Sequence, residues 1–202
     1  KMYSIDNIIV AHPSANIEVA ETEKINGNDE KYKFFFPSFP RVFKNFEVIC
    51  RAAAALSKYS DNFEVWLTTD GTENAYSRYL REKYQSVEAV RWIGLQSREE
   101  MAERYNSCDC VIFPSKLETW GLPITEAKAY GKPLLLADLP YAHETVGICR
   151  ETSFFDPDKP KELAKLMLGC IRGNIRFEGN PGVFPDAPYA DNWSELISMM
   201  ID

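Results

Sequence analysis

The stretch 113–133, F-P-S-K-L-E-T-W-G-L-P-I-T-E-A-K-A-Y-G-K-P, holds the densest set of groups able to do chemistry. Gly121 permits tight backbone curvature just before an expected helix. The Gly121 and Leu122 amides then sit at the positive end of that helix, where phosphate oxygens can accept several N–H bonds. Pro123 donates nothing, but in the first helical turn that omission costs little. Two acids bracket the turn, Glu118 in the loop and Glu126 in the first or second turn of the helix. A carboxylate at 126 that tips toward the ligand edge can accept from adjacent ribose hydroxyls. Glu118 lies earlier and can reach a group beyond the phosphates. Taken alone, two acids in this arrangement equally describe solvated loop and helix carboxylates.

Other candidates surround this loop. Lys44 is expected to open a helix, where a lysine opposes the local dipole, so a phosphate partner competes there with plain solvation. Arg41 suits phosphate contact or surface charge equally. Thr119 and Trp120 precede the turn; Trp120 can offer its amide while its ring anchors the loop. Gly94, in an I-G-L turn, can border a base or simply end a strand. His143 reads as a polar loop residue, and His12 has no argued role. No G-x-G-x-x-G occurs, which argues against ordinary dinucleotide binding.

These residues need a scaffold, and the pattern supplies one. Apolar runs alternate with helical patterns from residue 32 onward, the signature of βαβ units. Strands are expected at 33–36, 63–68, 90–93, 110–113, 133–136 and 153–155. Helices are expected at 44–58, 72–83, 98–106, 122–130, 142–146 and 159–170. The strand runs are continuous rather than alternating, as when helices cover both faces of a parallel sheet. Ser97 with Glu100 predicts a capping box, and Gly131 a helix stop. The expectation is a doubly wound, six-stranded parallel α/β sheet in the order 3-2-1-4-5-6. Such sheets bind ligands at the carboxyl ends of their strands, here the loops 37–45, 93–97, 114–122 and 137–143. Residues 1–30 read as an irregular leader, 31–171 as the Rossmann-like domain, and 172–202 as an irregular stretch with a terminal helix. That helix carries Trp193, Leu196, Ile197 and Met200 at helical spacing, a face that needs a surface to cover.

Composition narrows the partners. The chain has 202 residues, net charge -7 and five cysteines without a C-x-x-C pair. An acidic balance argues against nucleic-acid partners, and the cysteines read as buried thiols in a reducing compartment. Neither a signal peptide nor an apolar run of membrane-spanning length is read. A cytoplasmic protein is expected, with peripheral attachment at the inner face of the membrane left open.

The 113–133 segment closely resembles the C-terminal domain of the retaining family 4 glycosyltransferases, which have GT-B architecture. Their loop E-G-F-G-L-P and helix opening x-x-E-A read here as E-T-W-G-L-P and I-T-E-A. The glutamates of the family's E-x7-E motif fall on Glu118 and Glu126. The resemblance implies that Glu118 faces the donor sugar, that Glu126 holds the ribose, and that the amides of Trp120, Gly121 and Leu122 approach the sugar and diphosphate. The family ends its first strand here in G-R-x-x-x-x-K-N, against S-F-P-R-V-F-K-N in this chain. Lys44 and Asn45 match, Ser38 and Phe39 stand for Gly and Arg, and Arg41 is near enough to substitute. L-P-Y-A-H-E-T-V-G resembles the family's P-E-x-x-G turn, and F-F-D-P-D-K-P-K-E-L its F-x-P stretch, so similarity covers roughly 32–170.

The resemblance implies sugar transfer, hexosyl type, from a nucleoside-diphosphate sugar with retention. It implies no resident cofactor and no obligatory metal. A glycan or lipid-linked acceptor would enter through a missing N-terminal domain, leaving this chain alone weak or inactive. Under these roles Glu118→Ala spares free-nucleotide binding, whereas Glu126→Ala weakens it. A nucleotide-sugar epimerase of GT-B type and a noncatalytic α/β interaction module are the competing readings.

Overall fold

Three consecutive phenylalanines, Phe34, Phe35 and Phe36, are fully buried at the centre of a parallel sheet. Successive strand side chains point to opposite faces, so burial of all three requires cover on both sides. The computed structural model describes residues 9–13, 19, 31–190 and 192–201. Its six strands are β1 (Tyr32–Phe36), β2 (Phe63–Leu67), β3 (Val90–Trp92), β4 (Cys110–Phe113), β5 (Leu134–Ala137) and β6 (Thr152–Phe155). They pair in parallel in the order β3-β2-β1-β4-β5-β6. This is the expected doubly wound sheet. The helices are α1 (Phe46–Leu56), α2 (Ala75–Tyr84), α3 (Arg98–Ser107), α4 (Leu122–Ala129), α5 (Pro140–Val146), α6 (Pro160–Ile171) and α7 (Trp193–Ile201).

Helix α1 lies along α6, and α4 along α5. Ala52 and Ala53 of α1 are fully buried. Side chains this small permit close helix approach. Each fully buried Phe or Leu in the core contributes roughly 1.5–3 kcal/mol relative to exposure. The Ser97–Glu100 capping box forms at the start of α3, and Gly131 ends the α4 turn at φ 62°. Four cysteines are buried, Cys149 is half-buried, and all five are free thiols.

Two helices, α1 and α2, start two or three residues later than expected. Lys44 does not open α1; it ends a 3-10 turn over Val42–Lys44. Asn45 follows in the left-handed region at φ 57°, and α1 starts only at Phe46. A helix cannot pass through that conformation, so the dipole argument for Lys44 does not hold. Helix α2 begins at Ala75 rather than at 72, because Asn74 and Ser77 cap each other.

Outside the main sheet, Val10–Ala11 pairs in parallel with Tyr189–Ala190, and Ile148–Cys149 pairs antiparallel with Asn180–Pro181. The apolar piece beginning at residue 7 is therefore strand-paired in its described part. The polar run 21–30 lies outside the described residues.

Candidate functional site

The loops leaving β1 and β4 are tied together by backbone. The Phe43 carbonyl accepts from the Lys116 amide at 2.8 Å and from the Ser115 hydroxyl at 3.3 Å. The Asn45 side-chain amide donates to the carbonyls of Pro114, at 3.3 Å, and Pro157, at 2.8 Å. Lys44 is consequently aimed at the loop of Glu118, with its Nζ 2.5 Å from Oε1. The two side chains are only 16% and 12% exposed. The ammonium lies 5.5 Å from the Phe113 ring centre and 5.6 Å from that of Phe43. Aromatic walls lower the local dielectric, so this cation interacts strongly with any anion that reaches it.

The turn after Glu118 is held from three sides. Gly121 sits at φ 88° as the N-cap of α4. A side chain there would meet Ile124, Phe113 and Tyr141 at 3.3–3.6 Å. The Tyr141 hydroxyl donates to the Ser115 carbonyl at 2.7 Å, and burial, then the Glu118 charge, push its ionisation upward. The Trp120 indole N–H donates to the Thr125 hydroxyl at 3.2 Å, while the Trp120 carbonyl accepts from Thr145. Glu126 falls in the second turn of α4, where its Oε2 accepts from the Tyr105 hydroxyl at 2.7 Å. Tyr105 is buried and stacks on Tyr130 at 5.1 Å. Burial first, then the Glu126 charge, raises its phenol well above the ordinary value. A proton fixed on Tyr105 makes it a permanent donor that orients the carboxylate.

Residues 18–175 match the family model of the glycosyl transferases group 1. The chain belongs to this family. Solved structures agree on its fold. The Anabaena protein Alr3699/HepE in complex with UDP superposes with a TM-score of 0.61 at 22% identity, covering 71% of this chain and 40% of that one. A Rickettsia africae glycosyltransferase gives 0.63 at 19% identity, over 73% and 39%. The C-terminal domain of a Francisella tularensis group 1 glycosyl transferase, LpcC, gives 0.60 at 19%, over 69% and 75%. The likeness identifies the fold as one Rossmann-like half of a GT-B enzyme. The chain spans about 40% of the length of the HepE structure. No curated protein sequence matches it.

In this group 1 domain the remaining expected site residues are more scattered. Thr119 is exposed beside the turn, and Leu122 is exposed at the start of α4. Arg41 is exposed, with its guanidinium 5.9 Å from the Phe39 ring centre. Gly94 is buried just past β3, at φ 72° against Asp70. The fold thus brings Lys44 and Glu118 into contact, places Glu126 on α4 behind the Gly121 turn, and leaves Gly94 on the far strand of the sheet. His143 is structural: its ring lies between Asp138, at 2.8 Å, and Asn180, at 3.1 Å, stacked on Phe154.

Sequence reasoning missed Tyr105, Tyr141, Thr145 and His12. A tyrosine on a helix has no pattern that separates a hydroxyl aimed at a carboxylate from one reaching solvent. A cavity of about 480 Å³ shares Phe43, Asn45 and Lys116 with the site. Another, of about 950 Å³, lies at Ala54, Arg81 and Arg91 and includes none of the site's residues. Among the described residues no group of three His, Cys, Asp or Glu is arranged to hold a metal, and no helix is long and apolar enough to cross a membrane.

Proposed function

We propose that this chain is the donor-nucleotide half of a retaining family 4 glycosyltransferase of hexosyl type. The reading rests on one observation above the others: a sheltered Lys44 touches Glu118 at the carboxyl edge of the sheet, beside a glycine-formed helix start. Lys44, joined by Arg41 and the amides of residues 120–122, takes the diphosphate. Fixed donors there stabilise the negative charge that grows as the glycosidic bond to the leaving nucleotide breaks. Glu126, held by Tyr105, takes the ribose hydroxyls, Glu118 takes the sugar, and Gly94 with Thr119 borders the rest of the nucleotide. In this reading the leaving-group charge is met by protein groups, without an obligatory metal. HepE has been captured with UDP, with UDP-glucose, and with UDP and glucose, which supports a nucleoside-diphosphate sugar as donor.

Residues 31–171 form the donor domain in this reading, and 1–30 and 172–202 are its flanking segments, with His12 and Asn180 packed back on the donor side. The half-exposed Trp193 and Ile197 of α7, with Met200, are the surface that the acceptor domain covers. The acceptor, a glycan or a lipid-linked molecule, binds through that domain, in the cytoplasm or at the inner face of the membrane.

A thermal-shift panel of UDP, GDP, ADP and their sugars tests the proposal, because a ligand of the native state raises its stability by mass action. One base should give a saturable rise in melting temperature that Lys44→Ala removes. A flat response to every nucleotide ends the reading.

A further inference from the structure

His12 is far in sequence from the donor turn, yet it is built against it. Its backbone amide donates to the Ala190 carbonyl at 3.0 Å, extending the pairing of Val10–Ala11 with Tyr189–Ala190. Its Nε2 lies 3.3 Å from Glu144 Oε1 on α5, and its side chain is only 13% exposed. Its ring centre sits 4.6 Å from that of Trp120, a separation within the range of favourable ring contacts. Trp120 is at the same time held through its carbonyl by Thr145, the neighbour of Glu144, and through its N–H by Thr125. Two anchors therefore come from α5, one directly and one through the imidazole. With Thr125 on α4, they converge on the residue immediately before Gly121.

We infer that His12 is a positioning residue of the donor site: its ring, covering the Trp120 indole, sets the backbone of residues 120–122 that receives the diphosphate. The inference rests on the donor-site reading above. It also assigns a task to the Val10–Ala11 and Tyr189–Ala190 pairing, which delivers the imidazole to the turn. His12 itself touches neither phosphate nor sugar in this account. It acts through the indole, and a misaligned amide loses bond strength steeply with angle.

The test titrates this chain with inorganic pyrophosphate and with UDP, GDP and ADP, comparing His12→Ala, His12→Gln and His12→Phe. His12→Ala should weaken pyrophosphate and the bound nucleotide alike, by about three- to tenfold, the worth of one ring contact. His12→Gln keeps an N–H for Glu144 but has no aromatic face, so it should bind as weakly as His12→Ala. His12→Phe restores the ring and should recover most of the affinity. In a Trp120→Ala background, His12→Ala should add no further loss, and in wild type it should red-shift tryptophan emission.

Additive losses, or a His12→Phe as weak as His12→Ala, overturn the inference while leaving the donor site standing. Wild-type chain that binds neither pyrophosphate nor any nucleotide overturns the donor reading and this inference with it. His12→Gln and His12→Phe keep the comparison available if the alanine variant does not fold.

Discussion

At the scale of single residues, the Lys44–Glu118 contact bears on the expectation that replacing Glu118 leaves free-nucleotide binding almost unchanged. In the free protein Glu118 occupies the cation that the proposed diphosphate needs. Removing one partner of a sheltered ion pair leaves an uncompensated charge, a cost that measured cases put at about 3–5 kcal/mol for full burial. Glu118→Gln should therefore destabilise the free chain by about 1–3 kcal/mol, the lower figure reflecting residual exposure. It should also tighten pyrophosphate and free-nucleotide binding several-fold, since an anion now restores a lost partner. Lys44→Ala should weaken both by about one to two decades, as expected for losing a bond to a charged group. Calorimetric titration reads both signs. A Glu118→Gln that binds free nucleotide more weakly would show that this carboxylate shapes the loop rather than competing for Lys44.

Tyr105→Phe and Glu126→Ala isolate a different part of the ligand. Each should weaken the nucleotide and spare pyrophosphate, because the Tyr105–Glu126 bond bears on the ribose alone in the proposed arrangement. Equal losses with both ligands would place Glu126 at the phosphates instead.

At the scale of elements, Asn45 joins three loops. Its left-handed backbone ends the 3-10 turn, and its side chain donates to the carbonyls of Pro114 and Pro157. Two substitutions separate these contributions. Asn45→Gly keeps the backbone conformation and loses the hydrogen bonds, about 1–3 kcal/mol for the two. Asn45→Ala adds the left-handed penalty of about 1–2 kcal/mol and should be the worse variant in urea unfolding. If the two variants are equal in stability, the φ of Asn45 carries no cost and the account of this break is wrong.

The same residue shows what was legible beforehand. The run Cys110–Phe113 is apolar throughout and bounded by Asp109 and Pro114, so its strand and its burial on both faces followed from composition. The stretch 44–56 is equally helical in pattern, yet the break at Asn45 depends on carbonyls at 114 and 157 that only the tertiary fold brings near. The Glu118 and Glu126 spacing singled out one loop and its helix, while the Lys44 and Tyr105 contacts made by these acids lie 74 and 21 positions away. Two-residue pairings such as Val10–Ala11 with Tyr189–Ala190 carry no periodicity at all. His12 consequently had no argued role before the fold placed its ring against Trp120.

At the scale of the whole molecule, the tightly buried core makes stability depend on alkaline pH. The Cys50 thiol is fully buried, and desolvation, followed by the Glu47 charge, raises its ionisation above the ordinary 9.0. Tyr76, whose hydroxyl donates to Glu47, and Tyr105, which donates to Glu126, are likewise raised above 10.0, first by burial. All three groups keep their protons in the folded chain at a pH where the unfolded chain begins to lose them. The unfolded state then binds fewer protons, so stability must fall as pH rises. The contribution is complete below about pH 9, shrinks as thiols and then phenols ionise in the unfolded chain, and disappears above the raised folded values. Each such group contributes a slope approaching 1.4 kcal/mol per pH unit within its window. Urea unfolding under reducing conditions at pH 7.5, 9.0, 10.0 and 10.5 should show a flat stretch followed by a steepening decline. Cys50→Ala should flatten the part nearest pH 9, and Tyr105→Phe the part above 10. Stability that stays constant from pH 8 to 10.5 would mean that these groups meet solvent far more readily than their burial implies, and the close packing of α1 and α3 against the sheet would have to be abandoned.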